Sequence, residues 1–133
     1  MSQENLPNLP ARNRKLIIAC EDDAMTAAYI KAVVRAIPGA NIKVFDKLGD
    51  AMLAIRQDRP GLVIMDHHLK GRTGAEGLLL MRNSPWGADI PVVVYTGADV
   101  EAEARKNGAN AFIRKPATVD QILDVIKPFL AQS

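Results

Sequence analysis

Five residues of this chain carry side chains whose surroundings suggest chemistry: Glu21, Asp22, Asp66, Thr96 and Lys115. Each stands at the end of a short apolar run. Leu16–Ile17–Ile18–Ala19–Cys20 leads into Glu21 and Asp22, and Leu62–Val63–Ile64–Met65 into Asp66. Ile90–Pro91–Val92–Val93–Val94–Tyr95 ends at Thr96, and Ala111–Phe112–Ile113 at Arg114–Lys115. Runs this short and apolar read as strands covered on both faces, as in a parallel sheet. A carboxylate inside such a strand would be an unpaired buried charge. At the carboxyl end it sits where open α/β sheets bind ligands.

Taken singly, each residue has a plainer explanation. Asp66 caps a loop, Glu21–Asp22–Asp23 complement the dipole of the following helix, Thr96–Gly97 is a turn, and Lys115 is a solvated surface lysine. Taken together they form a set. All ends of a parallel sheet's strands face one way, so the four runs deliver their polar residues to one edge. Three carboxylates held there repel, and their ionised forms call for a cation. Oxygen ligands of this kind suit Mg²⁺, which keeps several waters and binds through one or two carboxylates and phosphate oxygens. Lys115 supplies a point charge for an anion, and Thr96 a neutral donor. An acid that can act as covalent acceptor, a divalent ion, a lysine and a hydroxyl together describe phosphoryl chemistry.

The elements that must position these groups follow from the rest of the pattern. Residues 1–14 are polar, hold Pro7 and Pro10, and read as a mobile tail. After Asp23 the spacing predicts a helix with Met25, Ala28, Ala32, Val33 and Ala36 on one face, stopped by Pro38–Gly39. Ile42–Lys43–Val44–Phe45 alternates, as a strand nearer the sheet edge does. Asp46 stands as the cap of a helix with a Leu48, Met52 and Ile55 stripe, ended by Pro60–Gly61. After Asp66 comes the loop His67–His68–Leu69–Lys70–Gly71–Arg72–Thr73–Gly74. A helix with Leu78, Leu79, Leu80 and Met81 as core follows, and Trp86 falls in the next loop, where partial exposure is expected. Asp99–Asn107 is a weak helix with an i,i+4 pair, Glu101 and Arg105, and Gly108 suits its end. Thr118–Val119–Asp120–Gln121 is a capping box opening a helix that buries Ile122, Val125, Ile126, Phe129 and Leu130. Five strands alternating with five helices call for a parallel sheet with helices on both faces. The expected fold is a flavodoxin-like (βα)5 three-layer sandwich, strand order 2-1-3-4-5.

Composition narrows the function classes. The chain has 133 residues, room for one domain with a real core. Its net charge of +2 is too mild to imply a nucleic-acid partner, and no DNA-reading helix-turn-helix is present. Cys20 is the only cysteine, so no internal disulfide forms, which fits a reducing compartment. No secretory signal and no membrane-length apolar run appear, so a cytoplasmic protein without membrane contact is the expectation. His67–His68 is a poor chelate, because adjacent side chains in extended backbone point apart and no third soft ligand is near.

The text IIACEDD, LVIMDHHLKGRTG, PVVVYTGA and GANAFIRKP, in that order on the strand ends, resembles the receiver domains of two-component response regulators. The resemblance covers about residues 15–131. It implies that Asp66 is phosphorylated and that Glu21, Asp22 and Asp66 hold Mg²⁺ (or Mn²⁺), with the backbone carbonyl of His68 contributing. Thr96 and Lys115 would contact the phosphoryl group. Phe112 would be an aromatic that changes rotamer with Thr96 on activation, and Lys115–Pro116 a cis peptide. His68 would be placed to tune the phosphoryl lifetime from the rim. The implied partners are a sensor histidine kinase or histidine phosphotransfer protein and a downstream protein target, with a phosphorylation-dependent dimer left open. No output module follows in the sequence given, so a stand-alone receiver is expected. Three positions depart from the pattern: Lys70 stands where proline is usual, Gly97 replaces alanine, and the stretch from Thr96 to Lys115 is about a turn short. That shortening gives weight to a second reading, a receiver-fold interaction module that no longer depends on phosphate. A haloacid-dehalogenase-type phosphatase also uses an aspartyl phosphate. It needs an acid two residues after the nucleophile, where this chain has His68.

Overall fold

A computed structural model describes residues 9–130. The chain runs β1 (Asn13–Cys20), α1 (Ala24–Val34), β2 (Asn41–Phe45), α2 (Leu48–Asp58), β3 (Pro60–Met65), β4 (His68–Leu69), β5 (Arg72–Thr73), α3 (Gly74–Arg82), β6 (Val92–Thr96), α4 (Glu101–Lys106), β7 (Ala111–Arg114) and α5 (Val119–Leu130). Five strands form one parallel sheet in the order β2-β1-β3-β6-β7. With the small β4–β5 pair set aside, this is the expected 2-1-3-4-5 order.

Alternation along the central strands divides the core in two. Ile18, Cys20, Val63, Met65, Val92 and Val94 face one way and pack with Leu48, Met52, Ile55, Leu78 and Met81 from α2 and α3. Ile17, Ala19, Leu62, Ile64, Val93 and Tyr95 face the other way, under Ile30, Val33, Val34, Ile122 and Ile126 from α1 and α5. β3 is buried at every residue, as its unbroken apolar run requires. The predicted capping box opens α5: Thr118 N–H donates to Gln121 Oε1 at 2.8 Å, and Gln121 N–H donates to Thr118 Oγ1 at 3.1 Å.

Several local expectations give way. Asn13 and Arg14, placed in the tail, open β1; Gly61 admits them, since a Cβ there would lie 2.8 Å from the Arg14 carbonyl carbon. Residues 1–8 of that segment lie outside the described residues. On α1 the buried face is Ile30, Val33 and Val34, continued by Ile37, whereas Met25, Ala28, Ala32 and Ala36 are exposed. The larger β-branched side chains take the core, and the stripe of small residues takes solvent. Lys47, not Asp46, is the N-cap of α2, and it makes no side-chain cap bond. Leu79 and Leu80 are 45% and 48% exposed, because only Gly77, Leu78 and Met81 turn inward beside them. Val125 and Phe129 are half-buried, and Leu123 is buried in their stead.

Candidate functional site

β1 and β3 are paired with Cys20 opposite Met65, so the residues that follow them emerge side by side. Asp66 N–H donates to the Cys20 carbonyl at 3.1 Å, and Glu21 N–H to the Phe45 carbonyl at 2.9 Å. These two backbone bonds hold the acids at the sheet edge. Glu21 is 3% and Asp66 7% exposed, while Asp22 is half-exposed. One carboxylate oxygen each from Glu21, Asp22 and Asp66 lies within 4.8 Å of the others. Asp23 is outside this group: its carboxylate caps α1, accepting from Thr26 N–H at 2.9 Å.

Lys115 arrives from the far side. β6 and β7 pair with Thr96 opposite Arg114, and Lys115 N–H donates to the Thr96 carbonyl at 2.9 Å. The Lys115–Pro116 peptide is cis. Lys115 Nζ donates to Glu21 Oε1 at 2.8 Å and to Asp66 Oδ2 at 3.2 Å. It also lies 5.1 Å from the centre of the Tyr95 ring. Thr96 is 1% exposed at the end of β6, and its hydroxyl accepts from Ala98 N–H at 3.3 Å. The sheet therefore gathers Glu21, Asp22, Asp66, Thr96 and Lys115 at its carboxyl edge.

The charges in this pocket do not balance. Burial pushes the Glu21 carboxyl above its usual range, against the pull of its bond from Lys115, and the Asp66 charge pushes the same way. Burial alone would lower the Lys115 ammonium; its bond to Glu21 and the charge of Asp66 outweigh this and hold it above the ordinary lysine value. Burial, with Glu21 and Asp22 beside it, lifts the Cys20 thiol to about 12. One ammonium faces three carboxylates, and every donor in the cluster is oxygen. This set fits a hard divalent cation such as Mg²⁺.

The loop beyond Asp66 is more ordered than its sequence suggests. β4 and β5 form a two-residue antiparallel pair, His68 opposite Thr73 and Leu69 opposite Arg72, turning at Gly71 with φ +71°. His68 N–H reaches Asp66 Oδ1 at 3.4 Å. The His67 and His68 rings do not diverge: they meet edge to face with centroids 4.8 Å apart. Thr73 caps α3 in a reciprocal box with Glu76. Gly74 N–H donates to the His67 carbonyl at 2.8 Å, and α3 starts so close to the pocket that a Cβ on Gly74 would run into the Asp66 carbonyl oxygen. Phe112, on β7, is half-buried and packs against the α2–α3 core.

Gly74 and Tyr95 are site residues that the strand-end pattern does not mark. Gly74 shows only as one of two glycines in a loop, and Tyr95 only as the last residue of an apolar run.

The architecture and the pocket define a flavodoxin-like α/β domain with an acidic cluster and a lysine at its sheet edge. The chain belongs to the response regulator receiver domain family, whose sequence profile matches residues 17–127. It is similar to the protein PilH of Pseudomonas aeruginosa, 26% identical over 113 residues that span 83% of this chain and 93% of PilH. It is also similar to the polar-differentiation response regulator DivK of Brucella anthropi, 25% identical over 122 residues, 90% of this chain and 98% of DivK. The fold matches the receiver domain of the sensor histidine kinase PA1611 from Pseudomonas aeruginosa, crystallised with magnesium coordinated in its active-site cleft. The TM-score is 0.79 at 18% identity, over 89% of this chain and 98% of that one. No helix among the described residues is long and apolar enough to cross a membrane.

Proposed function

We propose that the chain is a stand-alone phosphoacceptor in a two-component phosphorelay, with Asp66 as the acceptor. The observation that carries this reading is the contact of Lys115 Nζ with Glu21 and Asp66, from strands far apart in sequence. An Asp66 carboxylate oxygen bonds to the phosphorus of a phosphohistidine on a kinase or phosphotransfer domain. The P–N bond breaks, and its electron pair stays on the imidazole nitrogen. Glu21, Asp22, Asp66 and the His68 main-chain carbonyl would hold Mg²⁺ (or Mn²⁺), which offsets the acids' charge and draws in the phosphoryl oxygens. Lys115 takes one phosphoryl oxygen, and the Thr96 hydroxyl donates to another. Water then cleaves the P–O bond, returning the carboxylate and inorganic phosphate.

In this reading the phosphorylated domain acts in the cytoplasm by binding a downstream protein, with Phe112 and Thr96 shifting as the switch and a phosphorylation-dependent dimer as one form of readout. Incubation with phosphoramidate and Mg²⁺ tests it. Intact mass should rise by one phosphoryl group, and Asp66→Asn should abolish the gain. No gain in the wild type sinks the reading.

One observation favours the second reading, an interaction module that works without phosphate. α4 has six residues and buries only Ala104, so it offers little to couple the pocket to the β6–β7 side. Partner binding unchanged in Asp66→Asn would select this reading.

A further inference from the structure

Tyr95 precedes Thr96 on β6 and is 4% exposed, in the core shared with α1 and α5. Its ring lies 5.1 Å from Lys115 Nζ. Burial lifts its phenol above the ordinary value, so the ring is neutral at physiological pH and meets the ammonium through its face. From α1, Tyr29 Oη donates to the Ala117 carbonyl at 2.8 Å, two residues past Lys115 and 88 residues away in sequence. We propose that Tyr95 and Tyr29 are positioning residues for the Lys115 ammonium, one holding its charged end and the other the backbone that carries it. The inference rests on the phosphoacceptor reading and names what keeps that reading's lysine in place.

The physical need is specific. A lysine side chain has four rotatable bonds and loses their freedom when fixed. Here its ammonium is shared by Glu21 and Asp66, and it must leave one of them to meet a phosphoryl oxygen when Asp66 is modified. Carboxylate contacts cannot guide that move, because they are the contacts being exchanged. The face of a neutral ring attracts the cation before and after, so it confines the swing without competing for the phosphoryl group. The Tyr29 bond fixes the chain beyond Lys115, so the stem pivots from a set point.

The test is the rate of Asp66 phosphorylation by phosphoramidate and Mg²⁺, read by intact mass. Tyr95→Leu should slow it roughly three- to tenfold, and Tyr95→Phe, which keeps the ring face, should restore most of the rate. In a Lys115→Ala background, Tyr95→Leu should cause no further slowing; a role in general stability would slow both backgrounds alike. Tyr29→Phe removes one hydrogen bond at a half-buried site and should slow the reaction roughly two- to threefold. It decides the matter if Tyr95→Leu does not fold. Wild-type rates in both Tyr95→Leu and Tyr29→Phe, or equal slowing with and without Lys115, overturn the proposal and leave the phosphoacceptor reading standing. Failure of the wild type to gain phosphate removes both.

Discussion

Lys115 Nζ lies 2.8 Å from Glu21 Oε1, although the two residues are 94 positions apart and belong to opposite halves of the sheet. The carboxylate is 2% and the lysine side chain 21% exposed, so this pair is shielded from solvent far more than a surface ion pair. With Asp66 also at 3.2 Å, the lysine joins two acids that would otherwise repel. Lys115→Met should therefore destabilise the domain by roughly 3 kcal/mol in divalent-free buffer, because it leaves buried carboxylates unpaired. Added Mg²⁺ should recover part of the loss. Urea unfolding of both proteins, with and without Mg²⁺, checks this; equal midpoints without Mg²⁺ would show that the pair supports nothing.

The same contact sets a pH dependence. Lys115 is held above its ordinary value in the folded chain. A group whose folded pKa is raised contributes stability that is complete below its unfolded pKa, about 10.4 for lysine. That contribution is lost as pH rises through the higher folded value. The alkaline limb of the wild-type stability curve should therefore be steeper than that of Lys115→Met, as measured by thermal melting between pH 9 and 12.

Cys20 offers a test of burial at the pocket floor. Its side chain is 1% exposed, and burial beside Glu21 and Asp22 lifts the thiol to about 12. Only the thiolate reacts at a useful rate. The folded protein should resist a disulfide thiol reagent at pH 8, and one equivalent should react promptly once urea unfolds it. Prompt labelling of the folded protein would show that the end of β1 opens.

The strand ends were legible because a buried parallel strand announces itself as an unbroken apolar run, and its polar terminator then marks the sheet edge. That logic placed Glu21, Asp22, Asp66, Thr96 and Lys115 on one rim with no knowledge of distance. It failed where the answer depends on what a residue meets across the fold. Met25 and Ile30 are both apolar on α1, yet only Ile30 finds the core. Asp46 looks like a cap, but the backbone at Lys47 starts α2 without one. The β4–β5 pair arises from a glycine turn between residues that carry no strand pattern. Tyr95 and Gly74 matter through Lys115 and Asp66, neither of which is near them in the local pattern that sequence reading uses.

Gly74 should be the least replaceable residue of the loop. A Cβ there meets the Asp66 carbonyl oxygen and comes within 2.9 Å of Met65 Cγ. Backbone cannot yield as a side-chain tip can, so Gly74→Ala must displace either α3 or Asp66. A loss of about 2 kcal/mol or more is expected, together with loss of the phosphoryl gain proposed for Asp66. Gly49→Ala, where nothing lies within 4 Å, is the control and should be neutral or stabilising. A Gly74→Ala protein of wild-type stability would contradict the close approach of α3 to the pocket.

Arg82, the last residue of α3, ties the α3–β6 and α4–β7 connections together. Its Nε and Nη2 donate to the Gly108 carbonyl at 3.0 and 2.9 Å, and Nη2 also to Asn110 Oδ1 at 2.9 Å. Nη1 donates to the Gly87 and Ile90 carbonyls at 3.0 and 2.9 Å. Asn110 Oδ1 accepts in turn from Val92 N–H at 2.8 Å, so the guanidinium joins the end of α3 to the starts of β6 and β7. Burial lowers its pKa, with Asp89 nearby opposing that shift; it stays a cation, because a guanidinium starts so high. Arg82→Met keeps the apolar stem but leaves the carbonyls of Gly87, Ile90 and Gly108 without this donor. A loss of about 2–4 kcal/mol is expected. Lysine cannot reproduce the planar fork that reaches Gly108 and Ile90 at once, so Arg82→Lys should recover less than half of that loss. Hydrogen exchange at Gly108 and Asn110 should quicken in both variants, while exchange at Ile17 and Ile64 in the central strands follows only global stability. Uniform change across all four sites would mean that Arg82 acts on the whole fold rather than on the α4–β7 connection.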